Sequence, residues 1–257
     1  MINQFTQNKL PIKLIPMIKS RLSVKGIHKT IAGKNILSNI GFSVHAKEIV
    51  GLLGPNGAGK TTAFYIAAGL LSPDKGAIAI NDQDVTNLPM HRRSKFGLTY
   101  LPQESSIFQD LTVEENLSGI AELTMDSMHD RQKFIDMAVS EFNLTQILNQ
   151  KGRFLSGGQR RKVEIARALA CNPSILLLDE PFAGIDPIAI EEIKDLLNRI
   201  VKKDISILIT DHNVRETLNL CNRAIIMDSG KVIAEGDAEQ LIANDLVKKT
   251  YFGNMYS

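Results

Sequence analysis

The chain of 257 residues is 44% hydrophobic and 23% charged, an ordinary globular composition that excludes disorder throughout and allows one large or two small domains. No apolar run approaches the roughly 18 residues that a membrane-spanning helix requires. The N-terminal apolar stretch is interrupted by Lys13 and by prolines, unlike a signal peptide. Cys171 and Cys221 lack the spacing of a metal site or a disulfide framework, which favours a reducing cytoplasm.

The net charge of +2 conceals an uneven distribution along the chain. Eight basic residues and no acidic residue precede Glu48, so residues 1–47 carry +8, while the remaining 22 basic and 28 acidic residues give −6. Such asymmetry is typical of proteins that contact a membrane surface or a nucleic acid. Residues 1–21 are predicted to be a basic, mobile extension, either a solvated tail or an auxiliary contact with anionic lipid headgroups.

The first half of the chain alternates strand and loop patterns before a helical block. Residues 42–53 alternate and then become continuously apolar, which predicts a strand entering a buried sheet, followed by a Gly-rich loop and a helix. Residues 76–80 and 97–101 are predicted strands. From residue 112 to about 142 the spacing is helical, with few turn residues.

The second half continues the alternation of helices and strands. The predicted elements are a helix over 158–170, a strand over 174–179, a helix over 188–201, a strand over 206–210, a hairpin of 223–228 with 231–235, and a closing helix over 238–249. Strands that alternate with helices indicate an α/β fold, with a parallel sheet covered by helices on both faces.

A phosphate-binding loop is predicted between the first buried strand and its helix. Gly54, Pro55, Asn56, Gly57, Ala58, Gly59, Lys60 and Thr61 match the pattern G-x-x-x-x-G-K-[ST]. Glycines let backbone N–H groups converge on phosphate oxygens, and the helix N-terminus adds partial positive charge. Lys60 is expected to reach the β and γ phosphates, Thr61 to bind Mg²⁺, and Thr62 to contact the α phosphate.

Two acidic residues follow the apolar strand over 174–179, and a histidine follows the next strand. Strand ends of a parallel sheet meet at one edge, so we expect Asp179, Glu180 and His212 to lie beside the phosphate-binding loop. Asp179 is expected to hold Mg²⁺ directly or through its waters, and Glu180 to orient and deprotonate the attacking water. His212 is placed where it would contact the γ phosphate.

With these residues, the motif Leu155-Ser-Gly-Gly-Gln makes the chain resemble the ATP-binding-cassette (ABC) ATPases over about residues 22–250. The resemblance implies the P-loop NTPase fold of that family, which has a RecA-like parallel sheet core, a β subdomain and a helical subdomain inserted at about residues 104–170. Residues 251–257 would form a C-terminal tail. ATP would be the substrate and Mg²⁺ the cofactor.

The resemblance also implies that two chains form a head-to-tail homodimer, because each signature motif would contact the γ phosphate of ATP held by the other subunit. The implied signature contacts are Ser156, Gly157, Gly158 and Gln159. Gln103 would touch Mg²⁺ and the water, and Asp186 would communicate across the dimer. His212 matches the γ-phosphate histidine of the family. The family's usual adenine-stacking aromatic residue is replaced by Ile31, which leaves apolar contact only.

Three stretches, residues 97–108, 208–218 and 247–253, resemble a narrower group within the family, the ATPase subunits of lipopolysaccharide exporters. This resemblance implies two integral membrane partners similar to LptF and LptG, bound in a groove that includes Tyr100, Ile107 and Phe108. It further implies peripheral attachment to the cytoplasmic face of the inner membrane through those partners, with no nucleic acid involved. Gln109 departs from the basic residue common in that group.

Three alternative functions are weighed against export. One is the ATPase subunit of a branched-chain amino-acid importer, whose cassette is closely similar. Another is a soluble ABC ATPase of translation or DNA repair, although such proteins usually carry a second cassette or long coiled coils. A GTP switch is disfavoured, since the N-K-x-D motif that reads guanine is absent from the sequence.

Overall fold

The computed structural model describes residues 20–252, apart from the side chain of Phe252. Most of the predicted extension and residues 253–257 of the predicted tail therefore lie outside the described residues. The last two residues assigned to the extension, Ser20 and Arg21, instead begin the first strand. Within the described part, no helix combines the length and hydropathy required to cross a membrane.

Strands form two sheets. They are β1 (Ser20–Ile31), β2 (Lys34–His45), β3 (Ile49–Leu53), β4 (Lys75–Ile80), β5 (Gln83–Asp84), β6 (Leu98–Leu101), β7 (Ile175–Asp179), β8 (Ser206–Thr210), β9 (Arg223–Asp228) and β10 (Lys231–Gly236). The four-stranded antiparallel sheet has the order β2-β1-β4-β5, and the six-stranded sheet has the order β10-β9-β3-β8-β7-β6. Within the larger sheet β3 and β6 to β9 run parallel, and only β10 is antiparallel to its neighbour.

Helices follow most strands of the larger sheet. They are α1 (Lys60–Ala68), α2 (Met90–Arg93), α3 (Val113–Thr124), α4 (Met128–Glu141), α5 (Gly157–Leu169), α6 (Pro187–Lys202), α7 (Val214–Leu220), α8 (Ala238–Ala243) and α9 (Asp245–Val247). Short 3₁₀ turns occupy Ser94–Phe96, Thr145–Ile147 and Gly152–Phe154, and a π-helical turn occupies Lys248–Phe252. Between β6 and β7 the chain is therefore helical.

Three apolar clusters hold these layers together. The first joins β7 and β8 to α3, α4, α5 and α6. The second lies between the two sheets and around α1. A third, smaller cluster packs α7 and the C-terminal helices against β9 and β10. Since the central strands β3, β7 and β8 are buried along their whole length, they read as continuous apolar runs in the sequence.

Two predicted elements are wrong in their extent. The predicted strand over residues 42–53 is split, because residue Lys47, with φ of +61°, lies in a turn between β2 and β3, which belong to different sheets. The predicted closing helix over 238–249 ends at Asn244, whose extended backbone and side chain cap the next short helix. The long strand β1 and the helix α7 were not predicted, since neither has a clear periodic pattern.

Candidate functional site

The predicted phosphate-binding loop joins β3 to α1, as the motif requires. At Gly54, with φ of +150°, a Cβ atom would lie 2.1 Å from the carbonyl oxygen of Met227, so only glycine fits this approach to β9. Gly59, with φ of +95°, precedes α1 and gives the helix no side-chain cap. The first N–H groups of α1 are therefore free of side-chain capping and available to an anion.

Lys60 lies at the base of this loop and is 6% exposed. Its ammonium group donates hydrogen bonds to the carbonyl oxygens of Gly54 (2.7 Å) and Pro55 (3.0 Å). Burial lowers the pKa of Lys60, while the nearby charge of Glu180 opposes that shift. A buried cation is thus placed within the loop and near the catalytic carboxylate candidate.

Strand ends place the acidic candidates next to one another, as predicted. Asp179 ends β7 and pairs in register with Thr210 at the end of β8. The N–H of Glu180 donates to the carbonyl oxygen of Thr210 (2.7 Å), and Glu180 has φ of +44°, in the left-handed region. That conformation costs a residue with a side chain about 1–2 kcal/mol. Strand β7 therefore ends at Asp179, and the backbone bends at Glu180.

Two of the three predicted catalytic residues, Gln103 and His212, contact the carboxylate of the third, Glu180. Gln103 Nε2 donates to Glu180 Oε2 (2.8 Å), and His212 Nε2 lies 2.8 Å from Glu180 Oε1. Gln103 follows β6, Glu180 follows β7 and His212 follows β8, so neighbouring strands position them. A carboxylate held at both oxygens has a fixed orientation, which suits a group that must orient a water molecule.

Asp179 is 4% exposed and accepts a hydrogen bond from the Tyr100 hydroxyl (3.2 Å). Burial, reinforced by the charges of Glu180 and Asp211, raises the pKa of Asp179 despite this hydrogen bond. With the Thr61 hydroxyl and the Gln103 amide oxygen, its carboxylate provides hard oxygen donors. Such donors are the kind that Mg²⁺ prefers, so the residues present fit this ion. Glu180, His212, Gln103, Asp179 and the loop of residues 54–62 are called the nucleotide edge below.

The signature motif opens α5. Ser156 is the N-cap residue, and its side chain and that of Gln159 form a reciprocal capping box. A Cβ atom at Gly158 would lie 2.4 Å from the Cβ of Ala189, so glycine lets α5 approach the start of α6. Asp186 caps α6 by accepting from the N–H of Ala189 (3.0 Å). The signature motif and the predicted dimer-communication residue are therefore adjacent in the fold.

Of the three residues predicted for the partner groove, only Phe108 has a surface-exposed side chain suited to docking. Phe108 is 54% exposed, and the Arg167 guanidinium lies 4.7 Å from its ring centroid. Ile107 is buried in the first apolar cluster. Tyr100 packs against Phe64 and reaches Asp179, which places it at the nucleotide edge instead. The segment of residues 105–108 together with Arg167 is called the Phe108 surface below.

Sequence reasoning missed a buried ion pair on α5. Arg161 donates to the carbonyl oxygens of Pro102 (3.0 Å) and Asp179 (3.1 Å) and pairs with Glu164 (3.2 Å). Glu164 in turn accepts from the Ser105 hydroxyl (2.8 Å) and from a neighbouring backbone N–H. The sequence did contain a pattern that indicates this pair, since Arg161 and Glu164 occupy the apolar face of an amphipathic helix.

Asp211 is a second residue that the sequence analysis did not single out. It is buried, and its two oxygens accept the backbone N–H groups of Phe182 (3.1 Å) and Asn213 (2.7 Å). It thereby ties the chain after Glu180 to the chain after His212. Burial raises the pKa of Asp211, and these backbone hydrogen bonds oppose that shift.

Ile31, at the position where an adenine-stacking aromatic residue is usual, ends β1 and is 43% exposed. An exposed aliphatic side chain at this strand end offers apolar contact without ring stacking. The described residues also contain no cluster of histidine, cysteine and acidic side chains that would hold a metal ion by itself.

Comparisons with known proteins agree with this geometry. A family model described as ABC transporter matches residues 37–183, more than half of the chain. The lipopolysaccharide export system ATP-binding protein LptB of Haemophilus influenzae is 48% identical over 238 residues, which cover 92% of this chain and 99% of that protein.

Solved structures share the fold. MJ1267, an ATP-binding cassette of an ABC transporter in its ADP conformation, matches with a TM-score of 0.80 and 28% identity, covering 91% of this chain and 99% of that one. The cassette MJ0796, a dimer in a post-hydrolysis state bound to ADP and Pi, matches with a TM-score of 0.72 and 26% identity, covering 84% and 98%. The chain belongs to the ABC transporter family and is one of its ATP-hydrolysing cassettes.

Proposed function

We propose that this cassette powers the export of lipopolysaccharide from the inner membrane toward the outer membrane. The observation that carries the catalytic part is the Glu180 carboxylate, held by Gln103 and His212 at the nucleotide edge. The 48% identity to the Haemophilus influenzae protein, over nearly its whole length, supports the choice of transported lipid.

In the proposed reaction, the phosphate-binding loop and Lys60 bind the phosphates of ATP, and Glu180 orients and deprotonates the attacking water. His212 releases Glu180, and its Nε2 then contacts the γ phosphate. Gln103 keeps the Glu180 carboxylate and the attacking water aligned. Most of the rate gain comes from positioning and from charge stabilisation. Removing one such contact from comparable sites costs about 10²- to 10³-fold in rate.

Mg²⁺ is the proposed cofactor, held by Thr61, Gln103 and Asp179, with Asp179 acting directly or through water. When bound, it neutralises charge on the β and γ phosphates. The Tyr100 hydroxyl keeps the Asp179 carboxylate in place by donating to one oxygen, which leaves the other oxygen for the ion or its waters.

A homodimer is the proposed active form. Ser156, Gly157, Gly158 and Gln159 would contact ATP held by the second copy, and Asp186 would transmit the closure. The exposed Ser156 at a helix N-terminus beside Asp186 supports this arrangement, since both occupy one surface of the chain. Each site then needs residues from two copies, so hydrolysis depends on dimer closure.

Two integral membrane subunits similar to LptF and LptG are the proposed partners, docked on the Phe108 surface within the helical subdomain of about residues 104–170. The cassette would span residues 22–250 and attach to the cytoplasmic face of the inner membrane through these partners. The exposed Phe108 ring beside Arg167 supports docking there, because exposed aromatic and arginine side chains are typical of interaction hot spots.

Depleting the protein and following newly made lipopolysaccharide tests the proposed substrate. We expect the lipid to stay at the inner membrane, and the wild-type chain, but not Glu180→Gln, to restore export. Continued delivery to the cell surface would overturn the proposal. Loss of branched-chain amino-acid uptake instead would identify an importer, and the ATPase assignment would stand.

A further inference from the structure

Three helices of the chain each begin at a residue of the proposed reaction. α5 begins after Ser156, α6 begins after Asp186, and α7 begins two residues after His212. Helices are stiff rods over these lengths, so a contact along a helix constrains the residue at its start. The side-chain links between these helices therefore decide how the three residues move relative to one another.

Lys194, in the middle of α6, is 8% exposed and carries two carboxylate partners. Its Nζ lies 2.5 Å from Glu216 Oε2, on the first turn of α7, and 2.8 Å from Glu191 Oε1, on its own helix. Among the described residues, no other side-chain hydrogen bond or ion pair joins α6 to α7. Burial lowers the pKa of Lys194, but the hydrogen bonds to Glu191 and Glu216 together with their charges outweigh it and raise the pKa, so the cation stays charged at neutral pH.

Apolar packing joins α6 to α7 only at the far end of α7, away from this link. The buried side chains of α6 belong to the first apolar cluster, with the helical region. Val214 and Leu218 of α7 belong to the third cluster, with the C-terminal helices, and only Leu220 at the far end of α7 reaches the first. The Lys194–Glu216 pair therefore bridges two separate cores, close to the start of α7 and to His212.

The corresponding link between α5 and α6 is different in kind. Lys162 pairs with Glu192, but the Glu192 side chain is 54% exposed. Exposed ion pairs contribute little to stability. The Lys194 and Glu216 side chains are only 10% and 26% exposed, so that pair is the better shielded from water. This contrast singles out the Lys194–Glu216 pair.

We propose that the Lys194–Glu216 ion pair is a positioning contact that makes the placement of His212 follow the movement of α6. The inference rests on the proposed function, because it assumes that Asp186 moves on dimer closure and that His212 contacts the γ phosphate. When α6 shifts, Glu216 carries the first turn of α7 with it, and His212 is displaced relative to Glu180.

Glu216→Ala and Glu191→Ala form a matched pair for testing this. Each removes one carboxylate from Lys194 and leaves the other, so neither strands a buried cation. We expect Glu216→Ala to lower the kcat for ATP hydrolysis about tenfold, with the KM for ATP within about twofold, because misplacement of a catalytic group lowers the chemical step. Glu191→Ala is expected to stay within about twofold of wild type in both.

Further measurements separate positioning from stability. Assays run well below the melting temperature of each variant exclude unfolding as the cause. Lys194→Arg should retain the wild-type kcat, and Lys194→Met combined with Glu216→Ala should be no slower than Lys194→Met alone, since both remove one contact. Equal kcat values for Glu216→Ala and Glu191→Ala would overturn the inference. A wild-type chain that neither hydrolyses ATP nor dimerises would instead contradict the proposed function.

Discussion

The nucleotide edge and the Phe108 surface lie at opposite ends of the segment from Gln103 to Phe108, but they are built differently. Backbone geometry sets the first: strand ends in register place Asp179 beside Thr210, and a positive φ turns Glu180. Side chains from helices α3 and α5 set the second. Asn116, fully buried, bonds both the N–H and the carbonyl oxygen of Phe108, and Arg167 covers its ring.

This difference indicates how the two regions respond to force. Strand-end positions are fixed by the hydrogen bonds of the sheet, so the part of the nucleotide edge formed by Asp179 and Glu180 is stiff. The segment that carries the Phe108 surface pairs with no strand, and it is held mainly by Glu164, Asn116 and Arg167. A partner that pulls on Phe108 would therefore displace this segment, and Gln103 with it, before it moves the sheet.

Lys60→Ala should break the nucleotide edge alone and have the largest effect. We expect kcat/KM for ATP to fall about 10²- to 10³-fold, because a buried cation next to the phosphates is lost. Steady-state hydrolysis and calorimetric ATP binding measure this, with the exposed lysine variant Lys75→Ala as control. Wild-type hydrolysis by Lys60→Ala would show that the loop is not the phosphate site.

Phe108→Ala should break the other region and leave the nucleotide edge intact. We expect recovery of the membrane subunits to fall about tenfold or more, as for an aromatic hot-spot residue, while the isolated chain keeps at least half of its ATPase activity. Co-purification from detergent extracts measures the binding. The exposed leucine variant Leu123→Ala, at the end of α3, is the control, and equal recovery with both variants would contradict the assignment.

Glu48→Gln touches neither region and should have the smallest effect on function. The carboxylate of Glu48 joins the turn after β2 to β9 by accepting from Arg223 at 2.8 Å and 3.2 Å. We expect it to lower the free energy of unfolding by about 2 kcal/mol at pH 7, with ATP hydrolysis unchanged. Glu235→Gln, which removes an exposed partner of the same arginine, should cost less.

The same pair predicts a dependence on pH. Burial raises the pKa of Glu48, but the hydrogen bonds from Arg223 and from the backbone of His45 outweigh it and bring the pKa below the ordinary 4.5. The ionised carboxylate therefore contributes stability above pH 4.5 that is lost as pH falls through the lower, folded-state pKa. Chemical denaturation should therefore show that the difference in free energy of unfolding between wild type and Glu48→Gln becomes smaller as pH falls from 4.5 through the folded-state pKa of Glu48.

The same contrast explains which features could be predicted from sequence. The positions of the nucleotide-edge residues could be predicted, because a local motif and the ends of apolar strands determine them. Lys60, Asp179 and Glu180 lie at the loop and strand ends that the sequence pattern predicted. Strand β1 was not, since its pattern is irregular and its neighbours β2 and β4 come from later in the chain.

Long-range side-chain contacts account for the remaining misses. Tyr100 was assigned to the groove from the resemblance to lipopolysaccharide exporters, but its ring packs against Phe64 of α1 and its hydroxyl donates to Asp179. Glu164 holds Ser105 from 59 residues away, and Lys194 holds Glu216 from 22. Pairings of this kind follow from the packing of the helices and leave no local pattern.

ATP hydrolysis and dimer formation by the Glu180→Gln variant test most directly the claim that Glu180 is the general base. Measured together with Mg²⁺ and ATP, hydrolysis should fall at least about 100-fold while ATP binding persists, because the general base is removed and the phosphate-binding loop is untouched. Light scattering should show that the variant accumulates as an ATP-bound dimer. Hydrolysis at the wild-type rate would contradict the assignment of Glu180, and with it the account of the nucleotide edge.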